Sequence, residues 1–229
     1  LRDPLNLGFG IGFPVVLLLL LSAIQANVPV SLFEIQHLAP GIAVFDLAFL
    51  TLFSATLIAK DRESAFLARL YTTPLTAADF ILGYLLPILP IALAQSVICY
   101  AVAAVLGLRI TVNVLYAVLL MLPVSLFFIA VGLLCGSMLN VKQVGGVCGA
   151  LFTNLSAWLS GTWFDLKLVG GAFKKSAYAL PFVHAVELER AALNGIFSDI
   201  LPNLIWVLCY AAVAVALAVW LFLRQMKRQ

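Results

Sequence analysis

Six long apolar runs, separated by short polar segments, dominate this sequence and restrict what it can fold into. A helix needs about 20 mainly apolar residues to cross the hydrocarbon of a bilayer, and the runs are of that length or longer. Only 10% of the 229 residues are charged and the mean hydropathy is +1.14, whereas soluble domains carry about 25% charged residues. The chain is therefore predicted to be an all-α, polytopic membrane protein.

The predicted transmembrane spans form a single domain over residues 1–229. Basic residues favour cytoplasmic loops, and the loops place eight Lys and Arg residues on one side of the membrane and five on the other. Both termini and the loop after the second span are therefore predicted to be cytoplasmic. The six spans are predicted at about 5–26, 40–59, 79–106, 113–139, 144–164 and 202–223.

A charged island at residues 60–74 follows the second span and predicts a short amphipathic helix at the membrane surface. Pro74 ends this helix, because the residue before a proline is pushed out of the helical region. Thr76 then suits an N-cap, with Asp79 as its acidic partner three residues later. The island is either a docking helix for a soluble partner or an ordinary loop helix lying on the surface.

The segment at residues 165–201 lies between the fifth and sixth spans, on the side opposite the charged island. Its second part is predicted to be a helix, with Pro181 in the first turn and Gly195 at the C-terminal stop. This helix is too charged and too short to cross the membrane. It is predicted either to lie along the outer interface or to dip in as a re-entrant hairpin.

The sequence shows no catalytic, metal-binding or nucleic-acid-binding pattern. The pair Gly145-Gly146 lacks the Lys and Ser/Thr that complete a phosphate-binding loop, and both histidines, His37 and His184, fall in outer segments. No basic cluster resembles a phosphate-binding face. The four cysteines lie in apolar runs, no two closer than thirteen positions, and are predicted to be free thiols that pack as small apolar residues.

Asp46 is the one clear carboxylate inside a predicted span, about 9 Å from the outer end of its helix at 1.5 Å rise per residue. An ionisable group inside the membrane is costly and marks a candidate functional site. Asp46 is either a polar point on a substrate path or a carboxylate that reaches water or a donor on a neighbouring helix.

Pairs of glycines four residues apart let helix backbones approach closely. Such packing joins helices within one chain or between two copies, and at least one pair is predicted to act within the chain. The pairs are Gly8 with Gly12, Gly132 with Gly136, and Gly145 with Gly149.

Four stretches, in this order along the chain, carry a family resemblance. They are Arg2-Asp3-Pro4 with Phe13-Pro14; Ala39-Pro40-Gly41-Ile42; Asp61-Arg62-Glu63 through Arg69-Leu70 to Thr73-Pro74-Leu75; and Leu159-Ser160-Gly161-Thr162 with Leu180-Pro181 and His184-Ala185-Val186. Through them, nearly the whole chain resembles the type 2 ABC exporter permease family, which includes daunorubicin-resistance-type drug exporters and polysaccharide exporters. The chain departs from the family at Asp61, where Glu is more frequent, and at Ala65-Phe66, where Gly-Thr is more frequent.

The resemblance implies half of a transporter in a bacterial or archaeal cytoplasmic membrane. Two permease chains, identical or paralogous, pair in the lipid bilayer, each with a cytoplasmic ATPase subunit. That subunit binds ATP and Mg²⁺, so no cofactor is expected on this chain. An interfacial helix is expected just before Arg2, and no nucleic acid is expected as a partner.

The resemblance also assigns roles to residues. Residues 60–74 become the coupling helix, the second and fifth spans line the path, and the outer helices gate it. The implied ATPase contacts are Arg62, Glu63, Phe66, Arg69, Leu70, Tyr71 and Pro74. The implied path residues are Asp46, Phe152, Asn154, Ser156, Trp158 and Ser160. The outer gate helix would present Pro181, His184, Glu187 and Arg190.

The predicted function is ATP-driven export of an amphiphilic drug or a lipid-like compound, which the form of the Thr-Pro-Leu segment favours. One alternative is export of a polysaccharide or glycolipid by the same architecture. Another is a secondary carrier without an ATPase, although a single buried carboxylate and the lack of inverted repeats argue against it. A membrane-bound enzyme is disfavoured because no catalytic cluster is present.

Overall fold

The computed structural model describes residues 4–27, 33–64 and 76–226, and every regular element in these ranges is helical. The cytoplasmic side of the predicted orientation is called the inner side, and the opposite side is called the outer side. The elements are α1 (Pro4–Asn27), α2 (Ile35–Glu63), α3 (Ala77–Val105), α4 (Val112–Met138), α5 (Val141–Val144), a π-helix (Gly145–Phe152), α6 (Thr153–Leu159), α7 (Leu166–Val169), α8 (Gly171–Ala179), α9 (Pro181–Asn194) and α10 (Phe197–Met226).

The all-helical class is confirmed. Among the described residues, α2, α3, α4 and α10 contain stretches long and apolar enough to cross a membrane. The first predicted span coincides with α1, whose part from Gly12 to Asn27 counts as a shorter apolar helix. The fifth predicted span, 144–164, is instead a helix that begins at Val141, passes through the π-helix and ends at Leu159. The first and fifth crossings therefore remain predictions.

The helices α2 and α10 extend beyond their predicted bounds at both ends, and α2 begins at Ile35, before Pro40, where the second span was predicted to begin. The helix α2 continues to Glu63 because residues 60–63 contain no helix breaker, and its last turn carries basic residues, which the helix dipole favours. The first four residues of the predicted coupling helix are therefore the last turn of α2, and residues 65–75 lie outside the described residues. The helix α10 begins at Phe197, before Pro202, with Asp199 favourably placed in its first turn.

The start of α3 follows the predicted capping pattern. The Asp79 backbone N–H donates to Thr76 Oγ1 at 3.2 Å, and the Thr76 backbone N–H donates to Asp79 Oδ2 at 3.0 Å. Both bonds use N–H groups that have no partner within the helix. The capping box at Thr76 is therefore confirmed, and α3 has a sharply defined inner end.

Among the described helices, the closest packing joins α2 to α4. A Cβ atom on Gly132 would lie 2.6 Å from the Thr51 carbonyl oxygen, and one on Gly136 would lie 2.5 Å from the Ala55 carbonyl oxygen. The Thr51 hydroxyl also donates to the Phe128 carbonyl oxygen at 2.8 Å. This glycine pair therefore serves packing within the chain, as predicted for at least one pair.

The helix α9 is buried among α2, α4 and α10. Phe182, near its start, packs against Phe152 of the π-helix with 5.5 Å between ring centroids. At its other end, the Asn113 amide at the outer end of α4 donates to the Leu193 carbonyl oxygen at 3.2 Å. Its 14 residues cover about 21 Å, running antiparallel to α4. Of the two predicted arrangements, this geometry favours the re-entrant hairpin.

Candidate functional site

Arg62, in the last turn of α2, holds the inner end of α4. Its guanidinium donates to the carbonyl oxygens of Ser137 and Leu139, at 2.6 Å to the latter. Carbonyl groups at a helix C-terminus lack partners within the helix, and a positive charge there is favoured by the helix dipole. Arg62 therefore satisfies the end of a helix that is distant from it in sequence.

The neighbours of Arg62 bind two further helices. The Tyr84 hydroxyl of α3 donates to Asp61 Oδ2 at 2.8 Å, and the backbone N–H of Val141, the first residue of α5, donates to Glu63 Oε1 at 3.1 Å. We call Asp61, Arg62 and Glu63 the α2 clamp. It ties the end of α2 to the inner ends of α3, α4 and α5, and its three residues belong to the first part of the predicted coupling helix, residues 60–74.

The structure therefore places only two of the predicted ATPase contacts. Arg62, in α2, is half-buried against the end of α4, and Glu63 is exposed. Their contact with an ATPase stays a prediction, as does that of the others. The other predicted ATPase contacts lie outside the described residues; they are Phe66, Arg69, Leu70, Tyr71 and Pro74.

Two of the predicted path residues lie on one open face of the fifth-span helix. Asn154 and Trp158 are four residues apart and exposed, together with Leu151 and Leu155. Residues at this spacing share one side of a helix. We call these four residues the open face; it combines one amide with three large apolar side chains.

The other path candidates of the fifth-span helix face the interior of the bundle. The hydroxyls of Ser156 and Ser160 are buried and donate to carbonyl oxygens one turn earlier, each at 2.9 Å. Phe152 packs edge-on against Phe128 and Phe182. The structure therefore does not bring the six path candidates together on one surface.

Asp46 is also interior, with 2% of its surface exposed. Within the described part of the chain, its Oδ1 atom has no hydrogen-bond partner. The interpretation that Asp46 reaches water is therefore disfavoured. Leaving a buried polar atom unpaired costs about 1–3 kcal/mol, so Asp46 remains a candidate for a functional role.

The helices α8 and α9 form an outer hairpin, and the predicted gate residues hold it together. His184 Nε2 donates to the Tyr178 carbonyl oxygen at 3.0 Å, and its ring stacks on Trp206 of α10 with 5.0 Å between centroids. Its Nδ1 atom lies 2.7 Å from Asn203 Oδ1. The Tyr178 hydroxyl donates to Glu187 Oε1 at 2.8 Å. These contacts fix α8 and α9 against α10.

Arg190 connects the hairpin to the outer ends of two other helices. Its Nε donates to the His37 carbonyl oxygen at the start of α2, and its Nη2 donates to the Gly161 carbonyl oxygen just after α6, both at 3.3 Å. Pro181 is the first residue of α9, and Gly195 ends it with φ of 71°, as predicted. Arg190 thus lies where the hairpin meets both predicted path-lining spans.

A buried acid on α9 was missed by the sequence reasoning. Glu189 is 0% exposed; the Tyr100 hydroxyl of α3 donates to its Oε2 at 3.0 Å, and its Oε1 has no partner among the described residues. The helical spacing of α9 could have indicated that Glu189 is buried. Glu189 shares its side of α9 with apolar Ala185 and Leu193, whereas Glu187 lies on another side.

We expect Tyr100→Phe to destabilise the chain by about 1–3 kcal/mol, because both oxygens of the buried Glu189 carboxyl then lack a donor. Glu189→Gln keeps an acceptor for Tyr100 and removes any buried charge, so its stability should match or exceed that of the wild type. The apparent Tm of the detergent-purified protein measures both effects. Tyr116→Phe, at an exposed position, is the matched control, and equal Tm losses for the two tyrosine variants would contradict the assignment.

Together, the long apolar helices and the buried helix α9 define a multi-pass α-helical membrane protein. The sequence model of the ABC-2 type transporter family matches residues 1–194, from the N-terminus to the last residue of α9. The chain belongs to this family of transport subunits, which confirms the resemblance noted in the sequence. Searches of curated proteins and of solved structures find no significant match.

Proposed function

We propose that this chain is the membrane subunit of an ATP-driven exporter for an amphiphilic drug or lipid-like compound. In this proposal, a separate cytoplasmic ATPase subunit binds ATP and Mg²⁺. Two ATPase copies act on two permease chains, which are identical or paralogous. The observation that carries the proposal, beside family membership, is the α2 clamp, because it joins the predicted coupling segment to several helices at once.

The clamp supports a route for mechanical coupling. A force on residues 65–75 reaches α2 through the chain itself. The bonds of Asp61, Arg62 and Glu63 then pass it to α3, α4 and α5. Because α5 continues into the π-helix and α6, the fifth-span helix and α2 move together at their inner ends. Both helices are the ones that the family resemblance assigns to the path.

The open face supports an amphiphilic substrate over a polysaccharide. Leu151, Leu155 and Trp158 offer a continuous apolar surface, and Asn154 adds a single polar group. A glycan is recognised by many hydroxyl-pairing groups, which this face lacks. In the proposal, the face lines the path between two chains and the Arg190-anchored hairpin closes its outer end.

Purification of the chain from its native membrane in mild detergent tests the partnership. We expect an ATPase subunit to co-purify, and a cysteine introduced at Arg69, in a variant lacking the native cysteines, to crosslink to it. An ATPase-inactive partner should abolish efflux of a fluorescent anthracycline. A chain that purifies alone, with efflux that depends on a proton gradient, would instead identify a secondary carrier.

We expect Arg69→Glu and Glu63→Lys to uncouple ATP hydrolysis from export, since each reverses a charge at the proposed docking surface. Co-purification of the ATPase should fall at least about tenfold, which corresponds to about 1.4 kcal/mol. Arg109→Glu makes the same change as Arg69→Glu at an exposed position on the predicted outer side and should be neutral. Normal export by both docking variants would refute the assignment.

A further inference from the structure

His184, on the second helix of the outer hairpin, directs both of its ring nitrogens at oxygen atoms that can only accept hydrogen bonds. Nε2 lies 3.0 Å from the Tyr178 carbonyl oxygen, and Nδ1 lies 2.7 Å from Asn203 Oδ1. The Asn203 amide is held in this orientation, because its Nδ2 donates to the Asp199 carbonyl oxygen at 2.8 Å. Reversing the amide would only move the conflict, since Oδ1 would then face that carbonyl oxygen.

The protonation state of the ring decides whether both contacts are hydrogen bonds. A neutral imidazole carries a proton on one nitrogen only, so in either tautomer the other nitrogen presents a lone pair to an acceptor oxygen. The imidazolium donates from both nitrogens. The 2.7 Å between Nδ1 and Asn203 Oδ1 also lies in the range of charge-assisted hydrogen bonds. The geometry around His184 is therefore that of a binding site for one proton.

The ring of Trp206, on α10, adds to this preference. It lies parallel to the His184 ring, with an interplanar angle of 2° and 5.0 Å between the centroids. A cation over the face of an indole ring is attracted by the negative charge of that face. His184 is buried, so bulk water does not screen the stack or the two hydrogen bonds.

Other titratable groups surround His184. Burial and the hydrogen bond to Glu187 raise the pKa of Tyr178 to about 12, so its hydroxyl keeps its proton near neutral pH. Glu187 lies three residues along α9 on the same side as His184, and its negative charge favours a proton on the ring. The Asp199 carboxylate accepts from the Ser198 hydroxyl at 3.0 Å. In the described part of the chain, the remaining titratable groups on the outer halves of α9 and its neighbouring helices are Lys174, Lys175, Glu189, Arg190, Cys209, Tyr210, Tyr116, Cys99, Tyr100, His37 and Asp46.

We propose that His184 is a proton-binding latch, in which one bound proton joins α8 and α9 to α10. Loss of the proton breaks either the contact with Tyr178 or the contact with Asn203. The Tyr210 hydroxyl still donates to the Ala179 carbonyl oxygen at 2.6 Å, so deprotonation loosens the hairpin without releasing it. Because the docked hairpin favours the protonated ring, docking is firmest at low pH and weakens as the pH rises.

Nothing in this inference requires the transport proposal to hold. If the chain is a permease, acidity on the outer side sets how firmly the predicted gate helix is held. The latch and the transport proposal fail on different observations, because the latch is tested on the purified chain without an ATPase subunit or a substrate.

The test uses the full chain in phospholipid nanodiscs, with ¹⁵N in the histidine rings. His37→Gln leaves His184 as the sole histidine, so the ring signals report this residue alone. We expect two protonated ring nitrogens at about pH 5.5 and one at about pH 8.5, on either side of the usual histidine range. Over the same interval, the protection of α8 and α9 against amide hydrogen exchange should fall about tenfold or more, because a hydrogen bond from a charged donor is lost.

Two substitutions separate a proton latch from a histidine that only fills space. Asn203→Asp keeps an acceptor oxygen and adds a negative charge, so the midpoint pH of the loss of protection should rise. His184→Gln has no charge to gain, so its protection should be low and independent of pH. Asp46→Asn and Glu189→Gln are controls that remove the other buried acids on α2 and α9, and both should keep the wild-type midpoint.

The inference is overturned if the His184 ring carries a single proton at the acid end of the range. It is also overturned if the loss of protection persists in His184→Gln, if the midpoint does not rise in Asn203→Asp, or if Asp46→Asn or Glu189→Gln abolishes the transition. The apparent Tm of each variant at the acid end verifies that the chain is folded.

Discussion

A single methyl group at Gly132 is expected to prevent the chain from reaching its folded state. In the Gly132→Ala variant, the new Cβ would lie 2.6 Å from the Thr51 carbonyl oxygen and would overlap the Ser54 hydroxyl. Overpacking a core typically costs about 1–3 kcal/mol. Here an obstructing atom belongs to a helix backbone, so α2 and α4 must separate, and we expect a cost above about 3 kcal/mol. The yield of monodisperse protein in mild detergent and its Tm measure the effect.

Gly12→Ala is the matched control. Gly12 lies on α1, and a Cβ there would meet no atom within 4 Å, so the subunit should keep its wild-type Tm. The same variant tests whether the pair Gly8 and Gly12 packs against a second copy of the chain. If α1 packs on a second copy, the dimer fraction should fall while Tm stays constant. Equal Tm values for the Gly132 and Gly12 variants would show that the close α2–α4 contact does not form.

Helix ends that carry strong local signals could be predicted from the sequence. The Thr76 capping box and the Gly195 stop are examples, because each depends on residues within one turn. The length of the apolar runs likewise predicted the positions of α3 and α4 closely. These features follow from local chemistry and from the thickness of the membrane.

Boundaries without a local signal were misplaced. At the end of α2, residues 60–63 are charged yet compatible with a helix, so polarity alone suggested a break where none occurs. Proline suggested that α10 begins at Pro202, but the helix accommodates this residue in its second turn. The π-helix could not be predicted either, because its residues are ordinary apolar residues and glycines.

The candidate site was least predictable, because its contacts join residues that are distant in the chain. Periodicity on α9 could have indicated that Glu189 is buried, but nothing local identifies Tyr100 as its donor. A sequence pattern can therefore suggest which residues matter without showing what they bind.

We expect Arg62→Glu to detach the inner end of α4 from α2 and to abolish coupled transport. The substitution removes two hydrogen bonds from a charged donor, each worth about 1.5–3 kcal/mol. It also places a carboxylate against the carbonyl end of a helix, where the dipole disfavours negative charge. Amide hydrogen exchange should rise in residues 137–144 and stay unchanged in α9. In the transporter proposed above, ATP hydrolysis should persist while anthracycline efflux is lost.

Arg62→Lys separates the geometry of Arg62 from its charge. Lysine keeps the positive charge but lacks the fork that reaches the Ser137 and Leu139 carbonyl groups together, so exchange and efflux should be intermediate. Lys142→Glu makes the same charge change as Arg62→Glu at an exposed position on α5 and should leave both close to wild type. If Lys142→Glu reproduces the Arg62→Glu effect, net charge at the inner surface governs coupling. If Arg62→Glu leaves exchange in residues 137–144 unchanged, Arg62 does not hold the end of α4, and the mechanical route through the α2 clamp is refuted.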